Sequence, residues 1–198
     1  MLKYRIDSLF SGTPYGQTAF GSEPLYNNGD EAVFHKWCGI KGKEQQLYVV
    51  NNGTYGGSFS NNSMKLSLLR TPVYSAHPIR KRQLVPHDRF LNHIDMGERK
   101  FSFRITNETN IDKTAQIFNE KPPVMSFFPS GDGVKKESFV TIDNDEVIVS
   151  SIRNNGTGYE ITVFNTTNKS IKATLTFKPI DKNCTVELGG NEFKIIQI

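Results

Sequence analysis

Apolar and polar side chains alternate with a period of two along much of this chain. Residues 159–164 alternate between large apolar side chains and Glu or Thr, and residues 171–177 repeat the pattern. Because successive side chains of a strand point to opposite faces of a sheet, this pattern predicts strands with one buried and one solvated face. Residues 165–169 between the two segments have turn chemistry, so we predict that these two strands form an antiparallel hairpin.

Short runs rich in β-branched and aromatic residues, bounded by Gly, Asn and Pro, recur through the chain and predict eleven strands. These strands are expected at residues 4–9, 33–40, 47–50, 65–69, 100–105, 138–142, 146–152, 159–165, 171–177, 185–188 and 193–198. Helical periodicity is nearly absent, so the predicted fold class is all-β. The spacing of turn signals across residues 124–198 favours a small immunoglobulin-like sandwich at the C-terminus.

A polar segment that ends at Pro122-Pro123 divides the chain. Because two consecutive prolines cannot continue a β-ladder, we place a domain boundary there. The predicted divisions are a larger sandwich region in residues 1–106, a linker in residues 107–123 and a small sandwich in residues 124–198. Within the linker, residues 113–118 are expected to form one or two helical turns.

The segment 72–93 has no strand pattern and holds three of the four histidines. A loop of this length is more often functional or mobile than part of a core. The spacing of His77, His87 and His93 matches no zinc-binding pattern, so exposed loop imidazoles are favoured over a metal site. A glycosidase usually needs a pair of carboxylates in one cleft. The acids closest to the uncommon motifs are Glu31, Asp88, Asp95 and Glu98, and their spacing does not pair any two of them.

The charge distribution argues against nucleic-acid binding. The chain has 24 basic and 20 acidic residues, a formal charge of +4, and a single tight basic cluster at Arg80-Lys81-Arg82. A phosphate-binding surface normally gathers its Lys and Arg residues on one face. Glycine-rich phosphate-binding patterns and a Gly-x-Ser-x-Gly nucleophile motif are also missing from the sequence.

Two features predict a cytoplasmic protein without a membrane span. Cys38 and Cys184 lie far apart inside predicted strands and are expected to be two buried free thiols, as in a reducing compartment. The first five residues do not resemble a signal peptide, and no apolar run approaches the ~20 residues that a span needs. The seven Asn-x-Ser/Thr sequons are therefore attributed to an Asn-rich composition.

Four short motifs combine uncommon residues with tight turns. In chain order they are His35-Lys36-Trp37, residues 52–58 with the sequence Asn-Gly-Thr-Tyr-Gly-Gly-Ser, residues 66–70 with the sequence Leu-Ser-Leu-Leu-Arg, and residues 95–98 with the sequence Asp-Met-Gly-Glu. Trp37 is the only tryptophan and is expected in a half-buried strand. Core packing is favoured for its ring, and a platform for stacking on sugars is the alternative.

This ordered set of motifs resembles the C-terminal β region of the glycoside hydrolase family 38 α-mannosidases. Residues 118–123, Phe-Asn-Glu-Lys-Pro-Pro, are similar to the family's passage into its last sandwich. The resemblance covers most of the chain and implies part of a large galactose-mutarotase-like β-sandwich followed by a small immunoglobulin-like one. The sequence departs from the family at Met96, where Gln is usual, so a polar role of that turn is in doubt.

The resemblance implies that the catalytic zinc, nucleophile and general acid belong to an N-terminal domain that nothing here resembles. No catalytic residue, metal site or cofactor is therefore expected in this chain. The implied partners are that catalytic domain and a mannose-containing oligosaccharide. Arg70 is the first candidate to contact the active site or the sugar, with a bracing salt bridge as its alternative role, and Tyr55 and Asp95 are weaker candidates.

Two other interpretations remain open. The chain could be a free-standing carbohydrate-binding sandwich that uses Trp37, Tyr55 or Tyr74 to stack on sugars, or a structural or adhesive β protein that binds no sugar. A sandwich that lacks its preceding domain also exposes a strand edge and apolar surface, so we expect a homo-oligomer.

Overall fold

Antiparallel strands form nearly all of the regular structure. A computed structural model describes residues 1–72, 96–126, 128, 131–134 and 136–198. Its helices are α1 (Ile111–Asn119) and one 3-10 turn (Lys178–Ile180). Its strands are β1 (Leu2–Asp7), β2 (Thr13–Gln17), β3 (Ser22–Pro24), β4 (Asn28–Val33), β5 (Trp37–Lys41), β6 (Gln46–Asn51), β7 (Gly56–Ser60), β8 (Ser63–Leu69), β9 (Phe103–Thr106), β10 (Val140–Ile142), β11 (Val147–Asn154), β12 (Tyr159–Asn165), β13 (Ile171–Phe177), β14 (Lys182–Leu188) and β15 (Phe193–Gln197). The prediction of an all-β sandwich fold is confirmed.

The first sandwich consists of a four-stranded sheet in the order β1-β8-β7-β4 and a five-stranded sheet in the order β3-β2-β5-β6-β9. Alternation along each strand divides its side chains between core and exterior. In β8, Met64 and Leu66 are fully buried, whereas the alternate residues Lys65 and Ser67 are partly exposed. The core that they enter comprises Ala32, Phe34, Cys38, Ile40, Val49, Phe59, Met64 and Leu66.

Strands β5 and β6 are buried on both faces because α1 covers the face that points away from this core. Trp37, Tyr48 and Val50 alternate with the core residues of the same strands and pack against Ile111 and Ala115 of α1. Asn110 caps the helix, with its Oδ1 accepting a hydrogen bond from the Lys113 amide at 3.1 Å. The cap satisfies a backbone donor that would otherwise lack a partner, so the helix extends beyond the predicted segment 113–118.

The second sandwich packs the sheet β10-β13-β14 against the sheet β11-β12-β15. The hairpin predicted for residues 159–177 is therefore wrong: β12 pairs with β11 and β15, whereas β13 pairs with β10 and β14. The two strands face each other across a core that includes Ile161, Val163, Ala173 and Leu175. Strands that pair and strands that face each other across a core show the same alternation, so the pattern alone did not distinguish them.

Asn165 fixes the crossing between these two sheets. Its side chain is fully buried, and its Nδ2 donates to the backbone carbonyls of Lys169 at 2.6 Å and Gly189 at 2.7 Å. Its Oδ1 accepts from the Thr167 amide at 2.9 Å. The side-chain amide of Asn165 thus supplies hydrogen bonds to the connection between β12 and β13, in place of the ladder bonds that a hairpin would have formed.

The predicted strand 33–40 is interrupted between β4 and β5. The Phe34 amide donates to the Tyr55 carbonyl at 3.1 Å, and the His35 amide donates to the Gln17 carbonyl at 2.9 Å. Because the backbone here bonds to two separate segments, it cannot continue one ladder. This prediction joined two strands that belong to different sheets.

Sequence reasoning missed β2, β3 and β7, which are rich in Gly, Pro and Ser, and it included only the last residue of β4. Gly57 shows why β7 tolerates glycine: a Cβ at this position would lie 2.9 Å from the Lys65 carbonyl oxygen and 3.2 Å from the Phe34 ring. Neighbouring segments therefore approach the β7 backbone closely at Gly57, and glycine leaves room for them. Glycine also lowers strand propensity, so the sequence of β7 gave no strand signal.

The two sandwiches contact each other within the described residues. The Phe20 ring stacks on Phe193 with a centroid distance of 4.7 Å and meets Phe164 edge to face at 5.7 Å. Lys113 of α1 lies 2.5 Å from the Asp145 carboxylate. The boundaries at residues 106 and 123 stay predictions.

Candidate functional site

A polar cluster crosses the outer face of the four-stranded sheet. The register pairs Lys3 with Ser67 and Glu31 with Ser58, so these side chains project on the same side, away from the core. Arg70 follows β8 directly. We call these five residues the Glu31 cluster.

Glu31 is the centre of this cluster. Its Oε1 lies 3.2 Å from Lys3 Nζ and accepts from Ser67 Oγ at 3.1 Å, and its Oε2 accepts from Arg70 Nη2 at 3.0 Å. Lys3 Nζ also donates to Ser58 Oγ at 3.2 Å. The hydrogen bond from Lys3, followed by that from Ser67, lowers the pKa of Glu31, so this carboxylate is charged at neutral pH.

Arg70 keeps most of its binding capacity. Its side chain is 64% exposed, and one nitrogen, Nη2, makes its contacts with Glu31 and with Met1 Sδ. A guanidinium has five N–H donors in a fixed plane. The ion pair with Glu31 holds one side of the guanidinium, and its remaining donors bond to no other residue in the described part of the chain, which leaves them suited to a carboxylate or to sugar hydroxyls.

The other two candidates do not join this cluster in the described part of the chain. Tyr55 is exposed and lies in the turn between β6 and β7, where its carbonyl accepts from the Phe34 amide. Asp95 lies outside the described residues, as do the three histidines of the segment 72–93. The roles of Tyr55 and Asp95 stay predictions.

Asn51 organises the turn that holds Tyr55. Its side chain is buried, its Oδ1 accepts from the Thr54 amide at 2.9 Å, and its Nδ2 donates to the His35 carbonyl at 2.8 Å. Sequence reasoning assigned Asn51 no role in this turn. An Asn directly before an Asn-Gly turn was the available signal.

Trp37 is part of the core and not a platform for sugar stacking. Its side chain is 3% exposed, and its ring meets Tyr48 edge to face with a centroid distance of 5.2 Å. No ring face is open to a ligand at the surface, so the sugar-stacking interpretation of Trp37 is wrong. The half-buried strand expected there is fully buried because α1 covers it.

Asp112 links α1 to the first sandwich. One oxygen, Oδ1, accepts from Trp37 Nε1 at 2.8 Å and from Gln17 Nε2 at 2.7 Å. Burial raises the pKa of Asp112, while the hydrogen bonds from Trp37 and Gln17 oppose this change. The sequence placed Asp112 in a polar linker, and no local signal connected it to Gln17, which lies 95 residues away.

Replacing Asp112 with alanine is expected to lower the free energy of unfolding by about 2–3 kcal/mol, because buried donors on Trp37 and Gln17 lose their acceptor. Asp112→Asn retains an acceptor oxygen and removes the charge. The raised pKa means that the folded state binds a proton more readily than the unfolded chain, whose value lies near 3.8. The contribution of Asp112 to stability therefore declines as the pH rises from about 3.8 through the folded-state pKa.

The Asn variant should accordingly gain stability relative to the natural protein as the pH rises through this window. Urea unfolding of both proteins between pH 4 and pH 7 measures the difference. This role of Asp112 would be contradicted if the Asn variant lost stability relative to the natural protein as the pH rises. An alanine variant as stable as the natural protein would also contradict it.

Both cysteines are free thiols, as predicted. Cys38 is fully buried, which raises the pKa of its thiol, whereas Cys184 is only partly buried, contrary to the prediction.

Among the described residues, no group of three or more His, Cys, Asp or Glu side chains is arranged to hold a metal ion. No helix in these described ranges has both the length and the apolar character that crossing a membrane requires.

Residues 22–86 match the model of the glycosyl hydrolases family 38 C-terminal domain. The whole fold is similar to an α-mannosidase from Enterococcus faecalis V583, with a TM-score of 0.68 and 10% sequence identity over 98% of this chain. It is also similar, with the same TM-score, identity and coverage, to a protein in the glycosyl hydrolase family 38 from Enterococcus faecalis. No curated protein matches the sequence.

The resemblance to the C-terminal region of family 38 is thus confirmed. The family match covers about a third of the chain and includes Glu31, Tyr55 and Arg70. The chain spans 25% and 26% of the length of the two similar structures.

Proposed function

We propose, with the family 38 similarity of residues 22–86 as the premise, that this chain is the non-catalytic C-terminal β portion of an α-mannosidase. It packs on an N-terminal zinc-dependent domain and completes the active site there. The full enzyme is a retaining glycoside hydrolase that acts on mannose-containing oligosaccharides, and a cytoplasmic location is consistent with its two free cysteines.

The observation that carries this proposal is the Glu31 cluster. It combines an exposed arginine, held on one side by a carboxylate, with a sheet face that the core does not use. A guanidinium held on one side by a carboxylate is suited to binding a carboxylate of a neighbouring domain or the hydroxyls of a substrate with its other donors.

The proposal is tested by assaying an aryl α-mannoside. The purified chain should be inactive with and without zinc, and activity should appear when the chain is joined to, or co-expressed with, the N-terminal segment encoded by its gene. Mannoside hydrolysis by the isolated chain would refute the non-catalytic role. A joined protein that binds zinc but hydrolyses no α-mannoside would refute the assignment of activity.

Arg70→Ala in the active joined protein is expected to lower kcat/KM by about ten- to a hundredfold. A hydrogen bond to a charged group contributes about 1.5–3 kcal/mol, which corresponds to this range. Arg70→Lys should restore only part of the loss, because an ammonium cannot reproduce a planar contact. Glu31→Gln should cause a smaller loss, since it frees the guanidinium without removing it.

Arg5→Ala is the matched control for Arg70→Ala. Arg5 is an exposed arginine on β1 that pairs with Asp7 and does not contact the Glu31 cluster. Its variant should retain the activity of the natural sequence. Equal losses for Arg5→Ala and Arg70→Ala would indicate a general charge effect and contradict a specific role of Arg70.

The isolated chain is also expected to self-associate. Among the described strands, β1 and β4 are the edges of the four-stranded sheet, and Leu2, Tyr4 and Val33 on them are exposed. Unpaired strand edges with apolar side chains tend to pair with another chain. Light scattering should give a dimer or larger mass at high concentration, which Tyr4→Lys together with Val33→Lys should reduce; a monomer at all concentrations would contradict this expectation.

The alternative function is a free-standing carbohydrate-binding module. Of the aromatic residues proposed for it, Trp37 is buried, Tyr74 lies outside the described residues, and Tyr55 is exposed. Titration of the isolated chain with mannose oligosaccharides separates the two functions. A module should saturate without a partner and lose affinity in Tyr55→Ala, whereas the mannosidase portion needs its catalytic domain.

A further inference from the structure

A cavity of about 330 Å³ lies where the first sandwich, the start of α1 and two turns of the second sandwich meet. It is separate from the Glu31 cluster, whose residues do not contribute to its wall. The polar side chains that define it are Tyr15, Ser22, Tyr48, Asp112, Asn168 and Asn191. Its volume is near the lower end of the ~300–1,000 Å³ that is usual for small-molecule sites.

Two side chains, Tyr48 and the half-buried Asp112, have hydrogen-bonding capacity that no other described residue uses. Tyr48 is 5% exposed, and its Oη makes no hydrogen bond to another described residue. Asp112 uses only Oδ1 for Trp37 and Gln17, so Oδ2 has no partner among the described residues. Among the described residues, the buried side-chain atom without a partner is Ser63 Oγ, so Tyr48 Oη and Asp112 Oδ2 are open to the cavity, where a ligand hydroxyl would replace water as their partner.

Close packing of turns preforms the wall. The Asn191 amide donates to the Thr167 carbonyl at 2.7 Å. A Cβ at Gly190 would lie 2.5 Å from the carbonyl of Asn168, and one at Gly21 would lie 2.7 Å from Asn191 Oδ1. Because these contacts fix the turns on both sides, ligand binding does not have to order the wall, which lowers its entropic cost.

The lining favours a neutral ligand over an anion or a phosphate. Asp112 and Glu146 contribute two carboxylates and Lys41 one ammonium, so the charged groups of the wall do not attract an anion. The remaining polar groups are hydroxyls and side-chain amides. Hydroxyls both donate and accept, and amides present one donor and one acceptor, which matches the hydroxyl groups of a polyol.

We infer that this cavity binds a neutral, polyhydroxylated molecule of monosaccharide size, whose hydroxyl groups bond to Tyr48 Oη and Asp112 Oδ2. Trp37 and Tyr48, whose side chains are almost fully buried, are among the residues that line the cavity, and the polar contacts carry the expected binding. The inference concerns this chain alone and does not depend on a catalytic domain.

Trp37 provides the measurement, because it is the only tryptophan of the chain and lines the cavity. Its fluorescence should change saturably when the 198-residue chain is titrated with D-mannose, D-glucose or myo-inositol, with a Kd on the order of 1 mM. Tyr48→Phe, which removes the hydroxyl and keeps the ring, should weaken the best of these ligands about tenfold. Tyr26→Phe, at an exposed tyrosine outside the cavity, is the control.

Asn168→Ala, in an exposed turn at the rim, is a second variant that should weaken binding while the thermal unfolding monitored by circular dichroism stays unchanged. The inference is overturned if none of the three polyols saturates the signal. It is also overturned if methylammonium chloride binds as well as the best polyol, or if Tyr48→Phe folds and binds unchanged. Mannosidase activity of the joined protein plays no part in this outcome, so the two proposals fail separately.

Discussion

Replacing Trp37 with alanine is expected to lower the free energy of unfolding by about 3–5 kcal/mol. The ring is 3% exposed and packs against Tyr48 and the α1 residues Ile111 and Ala115. The substitution creates a cavity between β5, β6 and α1, and it also removes a donor from the partly buried carboxylate of Asp112. Urea unfolding followed by circular dichroism measures the loss, since the variant has no tryptophan to report fluorescence.

Two further variants separate the causes. Trp37→Phe retains much of the apolar volume and removes the N–H group, so it should cost less than alanine. Tyr26→Ala removes an exposed ring and should change stability by no more than about 0.5 kcal/mol. A loss below about 1 kcal/mol for Trp37→Ala would contradict the view that this ring joins α1 to the first sandwich.

Leu175→Ala is expected to destabilise the second sandwich by about 2–5 kcal/mol. Leu175 is fully buried in β13 and belongs to the core between the sheets that contain β12 and β13. Lys172→Ala is its control on the same strand, because Lys172 is exposed and its side chain forms a long ion pair of 3.8 Å with Glu187. Unfolding monitored by circular dichroism reports the loss.

The same variant tests the predicted domain boundary. Trp37 packs against Tyr48, Val50 and α1, so its fluorescence reports chiefly the unfolding of the first sandwich. If residues 124–198 form a separate domain, Leu175→Ala should lower the midpoint measured by circular dichroism and leave the fluorescence midpoint nearly unchanged. Equal shifts would mean that contacts such as the Phe20–Phe193 stack join the sandwiches into one cooperative unit.

Local alternation was sufficient for much of the secondary structure. The run 159–165 is strand β12 and the run 171–177 is strand β13, with the bounds that the pattern indicated. Both have a polar face and an apolar face within a few residues, so local information defined them. Strands such as β7 carry glycines for close approach to a neighbour, and that requirement comes from residues distant in the sequence.

Candidate-site residues divide in a similar way. Arg70 stood out because it ends an ordered family motif, but its ion pair with Glu31 depends on the pairing of β4 with β7 and of β7 with β8. Asp112 and Tyr48 gave no local signal at all. Their shared cavity exists only because α1 and the turns of the second sandwich close over the first sandwich.

The sequence by itself determined that this protein is built from strands, that two thiols stay unpaired, and that its motifs resemble the C-terminal region of family 38. Those properties follow from side-chain order along the chain, which strand periodicity and motif spacing record directly. Only the tertiary structure decided which strands share a sheet, how Trp37 is covered, and which polar atoms meet in one cavity. Each of these depends on contacts between residues far apart in the sequence, and the same alternating pattern satisfies several ways of pairing strands.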